Sequence, residues 1–488
     1  MQRAILFIIA TMLSLHLSAS DTDKADSLAT GSGKMTDWPS SYVLPLLEIT
    51  TIDEEEPTCS YVFHPEGAFG ISITNATKVP GRAVLTLNNI TIFDSGEYEK
   101  GKSGMTIKIR GNTSAYNHAK KPFKIKLQKK GDMLCRGEER FYDKDWVLIC
   151  DGDDTFKAMV GYKVSELFGL GWTPAYKYVN LVINGDYRGI YMLIESVNRN
   201  ADCRINVDKR SGYVFECDAY WWNENLYFRT PENHYYTFKY PDPDKITDEQ
   251  VDYIKRTMEQ VELSIADGTY SRYIDVSSFA AWLLAHDVLG TQDAGGANIY
   301  LTKYDSTRQS KVKMATLWDF DSTMKFVNLE KWANVHFDSF FYFKDLLGDS
   351  TSYFNYCYKK LWQEKSDSIF SALYHFFDEF LSSYTRYGID NSRKYDQQRW
   401  GYQHGNSRDD IRQYHEWFEK RKPWLDRAIS NIPSDSASAV MAGISLPPYA
   451  EHRNKDTQLY TISGQKVTTG SALRPGIYLR NGKKFFVK

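Results

Sequence analysis

Residues 106–127, TIKIRGNTSAYNHAKKPFKIKL, decide the fold of the central part of the chain. Apolar and polar residues alternate at 106–110 and again at 123–127, with a turn-prone loop at 111–114 between the two runs. Alternation with a period of two is typical of strands that are buried on one face. The stretch therefore predicts two neighbouring strands of a sheet.

Further strands follow on both sides of this stretch. Residues 146–149 form a compact apolar run, and 178–183 and 187–195 flank Asn184-Gly185, a pair that suits the type I′ turn of a hairpin. Alternating runs upstream predict more antiparallel strands, at 42–44 and 83–87.

Helical patterns replace strand patterns in the second half. Apolar residues recur at helical spacing in three segments, at 155–168, 248–265 and 276–289. A hairpin pattern at 297–318 interrupts them, and 340–432 has a mostly helical pattern. The order, β-rich first and helical afterwards, predicts the α+β class.

Composition and charge exclude several classes of partner. Of the 488 residues, 42% are hydrophobic and 25% are charged, as in ordinary globular proteins. The formal net charge is -2, so charge gives no basis for binding nucleic acid or an anionic membrane. None of the six cysteines stands in a C-x-x-C pair, so no zinc site is predicted.

The N-terminus predicts export. Arg3 precedes an apolar run at 4–17, and the small residues at 18–20 fit a cleavage site, so residues 1–20 are interpreted as a signal peptide. The run is too short to span a bilayer and no later stretch is long enough, so no transmembrane segment is predicted. The mature protein is predicted to be secreted or held at the cell surface, with outer-membrane association as one alternative.

The rest of the chain divides by pattern and composition. The predicted segments are a linker at 21–37, an N-terminal β-rich module at 38–102, a main domain at 103–432, a linker at 433–456 and a C-terminal β unit at 457–488. The module at 38–102 is either a separate β unit or a sheet extension of the main domain. Small accessory β segments are thus predicted at both ends.

Three aspartates and one asparagine carry the most informative pattern. Asp293 and Asn298 have the spacing D-x-x-x-x-N, which in phosphoryl-transfer enzymes puts a base and a metal-binding amide within reach of one phosphate. Asp319 and Asp321 follow a predicted strand, and an extended segment would project both to one side, where they would suit Mg²⁺. The alternative interpretation is a solvated turn without a metal.

Four ordered motifs between Arg110 and Asp321 resemble those of the CotH kinase family. The first is R-G-N-[ST]-S at 110–114, continued by K-K-P-[FY]-x-I-K-L at 120–127. The second, N-G-x-Y-x-G-x-Y-x-L-x-E, covers 184–195. The third is N-x-Y at 298–300, and the fourth is W-D-F-D at 318–321. The resemblance implies an atypical, kinase-like, two-lobe fold with a β-rich N-terminal part and a helical C-terminal part.

The resemblance also implies cofactors and roles. ATP with Mg²⁺ or Mn²⁺ would be the cofactors, and a protein with Ser or Thr hydroxyls would be the substrate. Asp293 matches the position of the catalytic aspartate. The metal-binding positions match Asn298, Asp319 and Asp321.

Four further residues are predicted to bind the nucleotide. Lys124 or Lys126 would contact phosphate from their strand, and the sequence does not choose between them. Arg110 would clamp phosphate bidentately or pair with a carboxylate. Glu195 would line the nucleotide pocket or pair with a lysine.

Two functions from different classes remain. The first is an exported kinase that phosphorylates Ser or Thr of surface or secreted proteins. The alternative is a catalytically inactive, kinase-like protein of the cell surface that docks proteins or glycans. It is favoured by the many aromatic residues, which suit docking, and by the scarcity of ATP outside the cytoplasm. Lys157-Ala158, which stands where family members often carry Arg-Asn, also favours it.

The C-terminal segment at 457–488 resembles the tails of exported Bacteroidetes proteins. Its short alternating runs and the pair Asn481-Gly482 predict a small β unit. Some tails of this kind are sorting signals, so the resemblance implies contact with a secretion machinery.

Overall fold

The computed structural model describes residues 33–150, 155–336 and 341–435, and the backbone of four short strands between 459 and 487. The predicted signal peptide and most of both predicted linkers lie outside the described residues. No helix in the described ranges combines the length and apolar character needed to cross a membrane.

Most strands of the first half close into a ring. The strands of this half are β1 (Leu46–Thr51), β2 (Ser60–Phe63), β3 (Ile71–Thr74), β4 (Val79–Leu87), β5 (Ile90–Asp94), β6 (Met105–Ile109), β7 (Phe123–Gly131), β8 (Asp143–Ile149), β9 (Tyr176–Ile183) and β10 (Asp186–Glu195). Strand β1 pairs in parallel with β9 and antiparallel with β4, which gives a ring of seven in the order β1-β9-β10-β8-β7-β6-β4. Strand β5 pairs with β4, and β2 and β3 form a separate hairpin.

Alternating side chains fill the inside of this ring. On β7, Phe123, Ile125 and Leu127 are buried in the core, and the lysines between them point outward. Ile107 on β6 lies opposite Ile125 and belongs to the same core. Each buried side chain of this size contributes about 1.5–3 kcal/mol, so the ring has a hydrophobic core of its own.

The second half combines a five-stranded sheet with helices. The sheet has the order β12-β13-β11-β14-β15 and consists of β11 (Tyr213–Cys217), β12 (Tyr227–Arg229), β13 (Tyr235–Tyr240), β14 (Ile299–Lys303) and β15 (Val312–Met314). The α-helices among the described residues are α1 (Thr113–Asn117), α2 (Lys157–Phe168), α3 (Asp248–Ala266), α4 (Val276–Leu289), α5 (Phe343–Leu346), α6 (Tyr353–Ser382), α7 (Tyr384–Trp400) and α8 (Ser407–Ser430).

Helix α4 lies at the centre of the second half. Its residues from Phe279 to Leu289 are all buried, and it packs against α2, α6 and β15. Asp275 caps its N-terminus by accepting a hydrogen bond from the backbone N–H of Ser278 at 3.0 Å. Gly290 ends it in the left-handed conformation, with φ 60°. The loop after α4 therefore starts from a rigid point.

The predicted α+β arrangement is confirmed, and the structure adds features that the sequence pattern does not contain. The β-rich part is a closed ring, and the second half holds a sheet as well as helices. Strands β1, β4 and β5, from the segment at 38–102, pair within the sheet of the main domain, as in the second predicted alternative. Residues 42–44 form a turn instead of a strand, because Pro45 cannot donate to a ladder and the strand begins at Leu46.

Four strands near the C-terminus form an antiparallel sheet in the order β17-β16-β18-β19. They are β16 (Leu459–Thr461), β17 (Lys466–Val467), β18 (Gly476–Arg480) and β19 (Lys483–Val487). A small β unit lies here as the sequence predicts, whereas its role as a sorting signal stays a prediction.

Candidate active site

The loop after α4 holds Asp293 at the surface. Nε2 of Gln292 donates to the carbonyl of Trp332 at 2.9 Å, and the backbone N–H of Ala294 donates to Oδ1 of Asn334 at 2.9 Å. Asp293 lies between these two anchors, and its side chain is exposed. The carboxylate therefore has a fixed place from which it can reach a ligand.

A buried network fixes the last turn of α4 beneath this loop. Asp287 is fully buried, and its carboxylate accepts hydrogen bonds from the hydroxyl of Tyr358 at 2.8 Å and the backbone N–H of Ala333 at 2.9 Å. Nδ1 of His336 lies 2.8 Å from the same carboxylate. Since a buried carboxylate is stable only when it is fully partnered, this network makes the support of the loop rigid.

Asn298 and Asp319 are in direct contact. Nδ2 of Asn298 donates to Oδ2 of Asp319 at 3.2 Å. Both residues have a left-handed backbone, with φ 61° and 68°. Residues other than glycine adopt it at a cost of about 1–2 kcal/mol, and such strain clusters at functional sites. The structure thus brings together two of the predicted metal-binding residues.

The segment around Asp319 is not extended, so this part of the sequence-based argument is wrong. Strand β15 ends at Met314, and the positive φ of Asp319 turns the chain before Asp321. Alternation along a strand therefore does not place the two carboxylates on one side. The turn places the charge of Asp321 near enough to Asp319 to raise its pKa. The metal-binding role of the two residues stays a prediction.

Three carboxylates form a cluster of negative charge. Desolvation by the surrounding protein and the charges of Asp321 and Asp293 raise the pKa of Asp319 to about 7, against the opposite effect of Arg110. Desolvation and Asp321 also raise the pKa of Asp293. All three carboxylates keep contact with solvent, so a cation can reach them. Perturbed carboxylates in one place are typical of functional sites.

Helix α2 supports the segment that carries Asp319 and Asp321. Nζ of Lys157 in its first turn donates to the backbone carbonyl of Asp321 at 2.8 Å. One turn later, Gly161 leaves room for the ring of Phe320, which is 3% exposed. A Cβ at Gly161 would lie 2.2 Å from Cδ1 of that ring.

Replacing Gly161 with alanine is expected to destabilise the protein, although alanine is the better helix former. The helix gains about 0.5–1 kcal/mol, whereas displacing the Phe320 ring from a packed site costs about 1–3 kcal/mol. We expect the free energy of unfolding to fall by about 1–2 kcal/mol, measured by urea denaturation. Gly171→Ala is the control, because a Cβ there would lie 3.8 Å from the nearest atom, the carbonyl oxygen of Ala315. Equal losses in both variants would contradict the packing explanation.

The outer face of β6 and β7 carries a row of cations, and Arg110 at the end of β6 is the one that acts on the aspartates. Arg110 lies close enough to Asp319 for its charge to oppose the rise of that residue's pKa. Lys108 lies opposite Lys124 in register, and desolvation together with Lys124 lowers the pKa of Lys108. Neither Arg110 nor Lys108 forms an ion pair with another residue in the described ranges. Their charges are thus available to an anion.

The two lysines of β7 differ in their surroundings. Nζ of Lys124 lies 3.1 Å from Oδ1 of Asp145, whereas Lys126 is exposed. Lys124 is opposite Lys108 and Lys126 is opposite Thr106, so Lys126 lies about 7 Å further along the sheet. Lys124 is therefore closer than Lys126 to Lys108 and Arg110, and Asp145 balances part of its charge.

Glu195 lies apart from the other predicted site residues. It is 1% exposed, on the face of β10 that points into the ring. Its carboxylate pairs with Nη1 of Arg136 at 2.9 Å and accepts the backbone N–H of Ala175 at 3.0 Å. The structure does not bring it together with the aspartates, because these contacts hold it at the end of the ring.

The sequence alone assigns no role to several residues that adjoin the site. Oε1 of Glu216 accepts the backbone N–H of Asn298 at 3.0 Å, and Lys239 pairs with the same carboxylate. Burial is the main cause that raises the pKa of Tyr220, and the nearby charges of Asp293 and Asp319 raise it further. One signal was present: a glutamate in the apolar run of β11 must be buried and partnered.

Asn298 and Asp319 fit a cation that takes few protein ligands. Within the part of the chain that the structure describes, no three His, Cys, Asp or Glu side chains are grouped to hold a metal ion by themselves. Mg²⁺ usually takes one or two carboxylates and completes its shell with water and phosphate oxygens. The Asp319 carboxylate and the Asn298 amide oxygen suit such a partial set, and a cation would relieve the repulsion among the aspartates.

Comparison with protein families matches residues 107–425 to the family described as CotH kinase protein. The match covers well over half of the 488 residues and includes every predicted site residue from Arg110 to Asp321. A comparison with curated proteins gives no match. The chain therefore belongs to the CotH kinase protein family.

Proposed function

We propose that the protein is an exported kinase that transfers the γ-phosphate of ATP to Ser or Thr hydroxyls of surface or secreted proteins. Membership in the CotH kinase family supports kinase-like phosphotransfer as the class of activity. The contact of Asn298 with Asp319, beside Asp293 and Arg110, is the observation that carries the proposal. It combines a metal-binding pair, a base and a phosphate-binding cation, which are the parts of a phosphoryl-transfer site.

Asp293 would act as the general base. Its carboxylate is accessible, and desolvation and Asp321 raise its pKa, which makes it a better proton acceptor than an ordinary aspartate. It would orient the acceptor hydroxyl and take its proton while the hydroxyl oxygen bonds to the γ-phosphorus. The bond from that phosphorus to the β–γ bridging oxygen breaks at the same step, and ADP leaves.

The charged groups around Asp293 would bind the nucleotide. Asp319 and Asn298 would hold Mg²⁺ or Mn²⁺, with Asp321 as a further ligand. The ion, when bound, supplies neutralisation of phosphate charge. Arg110 and Lys124 would contact phosphate oxygens, and we assign this role to Lys124 rather than Lys126 because Lys124 is closer to the site.

The place of action and the acceptor are also proposals. The pattern at 1–20 supports export, and the resemblance of the segment at 457–488 to sorting tails supports recognition by a secretion machinery. Because the carboxylate of Asp293 is accessible, the hydroxyl of a Ser or Thr side chain on another protein could reach it. A glycan hydroxyl is the alternative acceptor.

A kinase-like protein that binds nucleotide or surface partners without phosphate transfer is the second candidate. Lys157 favours it, because this residue differs from the Arg-Asn pair common in relatives. Its ammonium donates to the carbonyl of Asp321 and so holds the acidic segment.

Incubation of the purified protein with labelled ATP and Mn²⁺ tests the proposal. We expect label in the protein or in an added Ser/Thr-rich acceptor, and a rise in melting temperature when ATP and Mn²⁺ are both present. A rise without label would favour the second candidate. If the protein takes up no label and its melting temperature does not rise, both nucleotide-dependent functions would lose their basis.

Replacing Arg110 with alanine is expected to weaken nucleotide binding about 10–100-fold, because a charge-assisted hydrogen bond to phosphate contributes about 1.5–3 kcal/mol. The measurement is calorimetric titration with a non-hydrolysable ATP analogue and Mg²⁺. Lys126→Ala removes a cation from the same sheet and is the matched control, expected to change the affinity less than about twofold. A loss of affinity in Lys126→Ala as large as that in Arg110→Ala would contradict the assignment of the phosphate contact to Lys124 rather than Lys126.

A further inference from the structure

An ion pair adjoins the site on β11, the central strand of the second sheet, and joins a buried carboxylate to a partly exposed lysine. Glu216 is 5% exposed, and its Oε2 lies 2.9 Å from Nζ of Lys239 on the adjacent strand β13. Its other oxygen, Oε1, accepts the backbone N–H of Asn298 at 3.0 Å. One carboxylate oxygen is thus engaged by a charge and the other by the backbone of a site residue.

This hydrogen bond acts on a residue whose backbone needs support. Asn298 has φ 61°, and a left-handed residue persists only where its surroundings hold it. The next residue begins β14, where Tyr300 is opposite Glu216 in register. The strand and the carboxylate therefore fix Asn298 from two sides, and its side chain is left to meet Asp319 at 3.2 Å.

We propose that the Glu216–Lys239 pair positions Asn298 against Asp319, so that the two can share one divalent cation. The role of the cation rests on the proposed function. Lys239 holds Glu216 in place, because a buried carboxylate without a partner is unstable and seeks another donor. Removing either member weakens cation binding without removing a ligand, as is common for residues that orient metal ligands.

Mn²⁺ affinity of the full chain, measured by electron paramagnetic resonance with a non-hydrolysable ATP analogue, tests the proposal. Glu216→Ala and Lys239→Met are each expected to raise the Kd for Mn²⁺ about 10–100-fold. The double variant Glu216→Gln/Lys239→Met keeps an acceptor for the N–H of Asn298 and leaves no unpaired charge. We expect its Kd within about threefold of wild type.

Glu262→Gln is the control for a loss of stability alone. Glu262 is also buried, but its partners are His234 and the hydroxyl of Tyr342 rather than a site residue. We expect this variant to melt at a lower temperature and to bind Mn²⁺ as wild type does. Wild-type Mn²⁺ affinity in folded Glu216→Ala would overturn the positioning role.

Hydrogen exchange separates this role from the proposed function. In metal-free protein, Glu216→Ala is expected to speed amide exchange at Asn298 about fivefold or more, because the N–H loses its acceptor. A wild-type chain that binds no Mn²⁺ would overturn the proposed function. Unchanged exchange at Asn298 in Glu216→Ala would overturn the positioning role, whatever the metal result.

Discussion

Replacing Asp319 with asparagine is expected to abolish phosphotransfer while the protein stays folded. The carboxylate contacts Asn298 at 3.2 Å and shares the field of Asp293 and Asp321. Without it the metal that neutralises the phosphates loses the carboxylate that Asn298 contacts and keeps only Asn298 and Asp321, so we expect a rate loss of about 10³-fold or more. The measurement is the initial rate of labelled phosphate incorporation with Mn²⁺.

The same variant is expected to be more stable than wild type in metal-free buffer. The pKa of Asp319 is raised to about 7 in the folded protein, above the unfolded value of about 4. Between these pH values the folded protein binds more protons than the unfolded chain, so wild-type stability falls as the pH rises. Asparagine does not ionise, so the gain in melting temperature should be larger at about pH 8 than at about pH 5.

Asp252→Asn is the control for both measurements, because Asp252 is an exposed aspartate on α3. We expect it to keep wild-type activity and the rise in melting temperature caused by Mn²⁺ and ATP. If Asp319→Asn kept activity, or lost stability without metal, Asp319 would be a structural residue.

The second large effect is expected where α7 contacts the ring. Nζ of Lys120 lies 2.9 Å from both carboxylate oxygens of Asp396, and the two residues are 2% and 0% exposed. The backbone N–H of Ile190 also donates to Asp396, and Nε2 of His404 lies 3.1 Å from it. Asp396→Asn would leave the lysine charge buried without its partner, so we expect the free energy of unfolding to fall by about 3–5 kcal/mol.

The loss caused by Asp396→Asn should depend on pH. Burial alone would raise the pKa of Asp396, but Lys120 and His404 outweigh it and lower this pKa. A lowered pKa contributes stability above the unfolded value of about 4, and the contribution is lost as the pH falls through the folded value. Urea denaturation should therefore show a full difference from wild type at neutral pH and a smaller one at about pH 3.

Gln398→Ala, an exposed change on the same helix, is the control and should shift stability by less than about 0.5 kcal/mol. A loss below about 1 kcal/mol in Asp396→Asn at neutral pH would contradict the importance of the pair.

The sequence predicts the elements of the fold better than their arrangement. Helix α4 begins at Val276 and ends at Leu289, as its periodicity predicts. Asn184 and Gly185 have φ 51° and 69°, as the predicted type I′ turn requires. The closure of the ring was not predicted, because β1 and β9 pair across a long stretch of chain and no local pattern specifies that contact.

The candidate site shows the same division. The D-x-x-x-x-N spacing and the W-D-F-D run identify residues that do lie together at Asn298 and Asp319. Their left-handed backbones and the charge of Glu216 beneath them depend on tertiary contacts, which spacing does not contain. Glu195 shows the converse, since a strand-end glutamate has the same pattern whether it faces a ligand or an arginine.

Strand β1 determines where the smallest fragment of this protein that can fold on its own must begin. The family match begins at Ile107, yet β1 and β4 close the ring from residues before it. A fragment cut at the start of the match would leave β9 and β6 with unpaired edges and open one side of the apolar interior to water. Such edges recruit other chains, so trimming by family boundaries would yield an aggregating protein. A fragment that keeps its ring must begin ahead of Leu46.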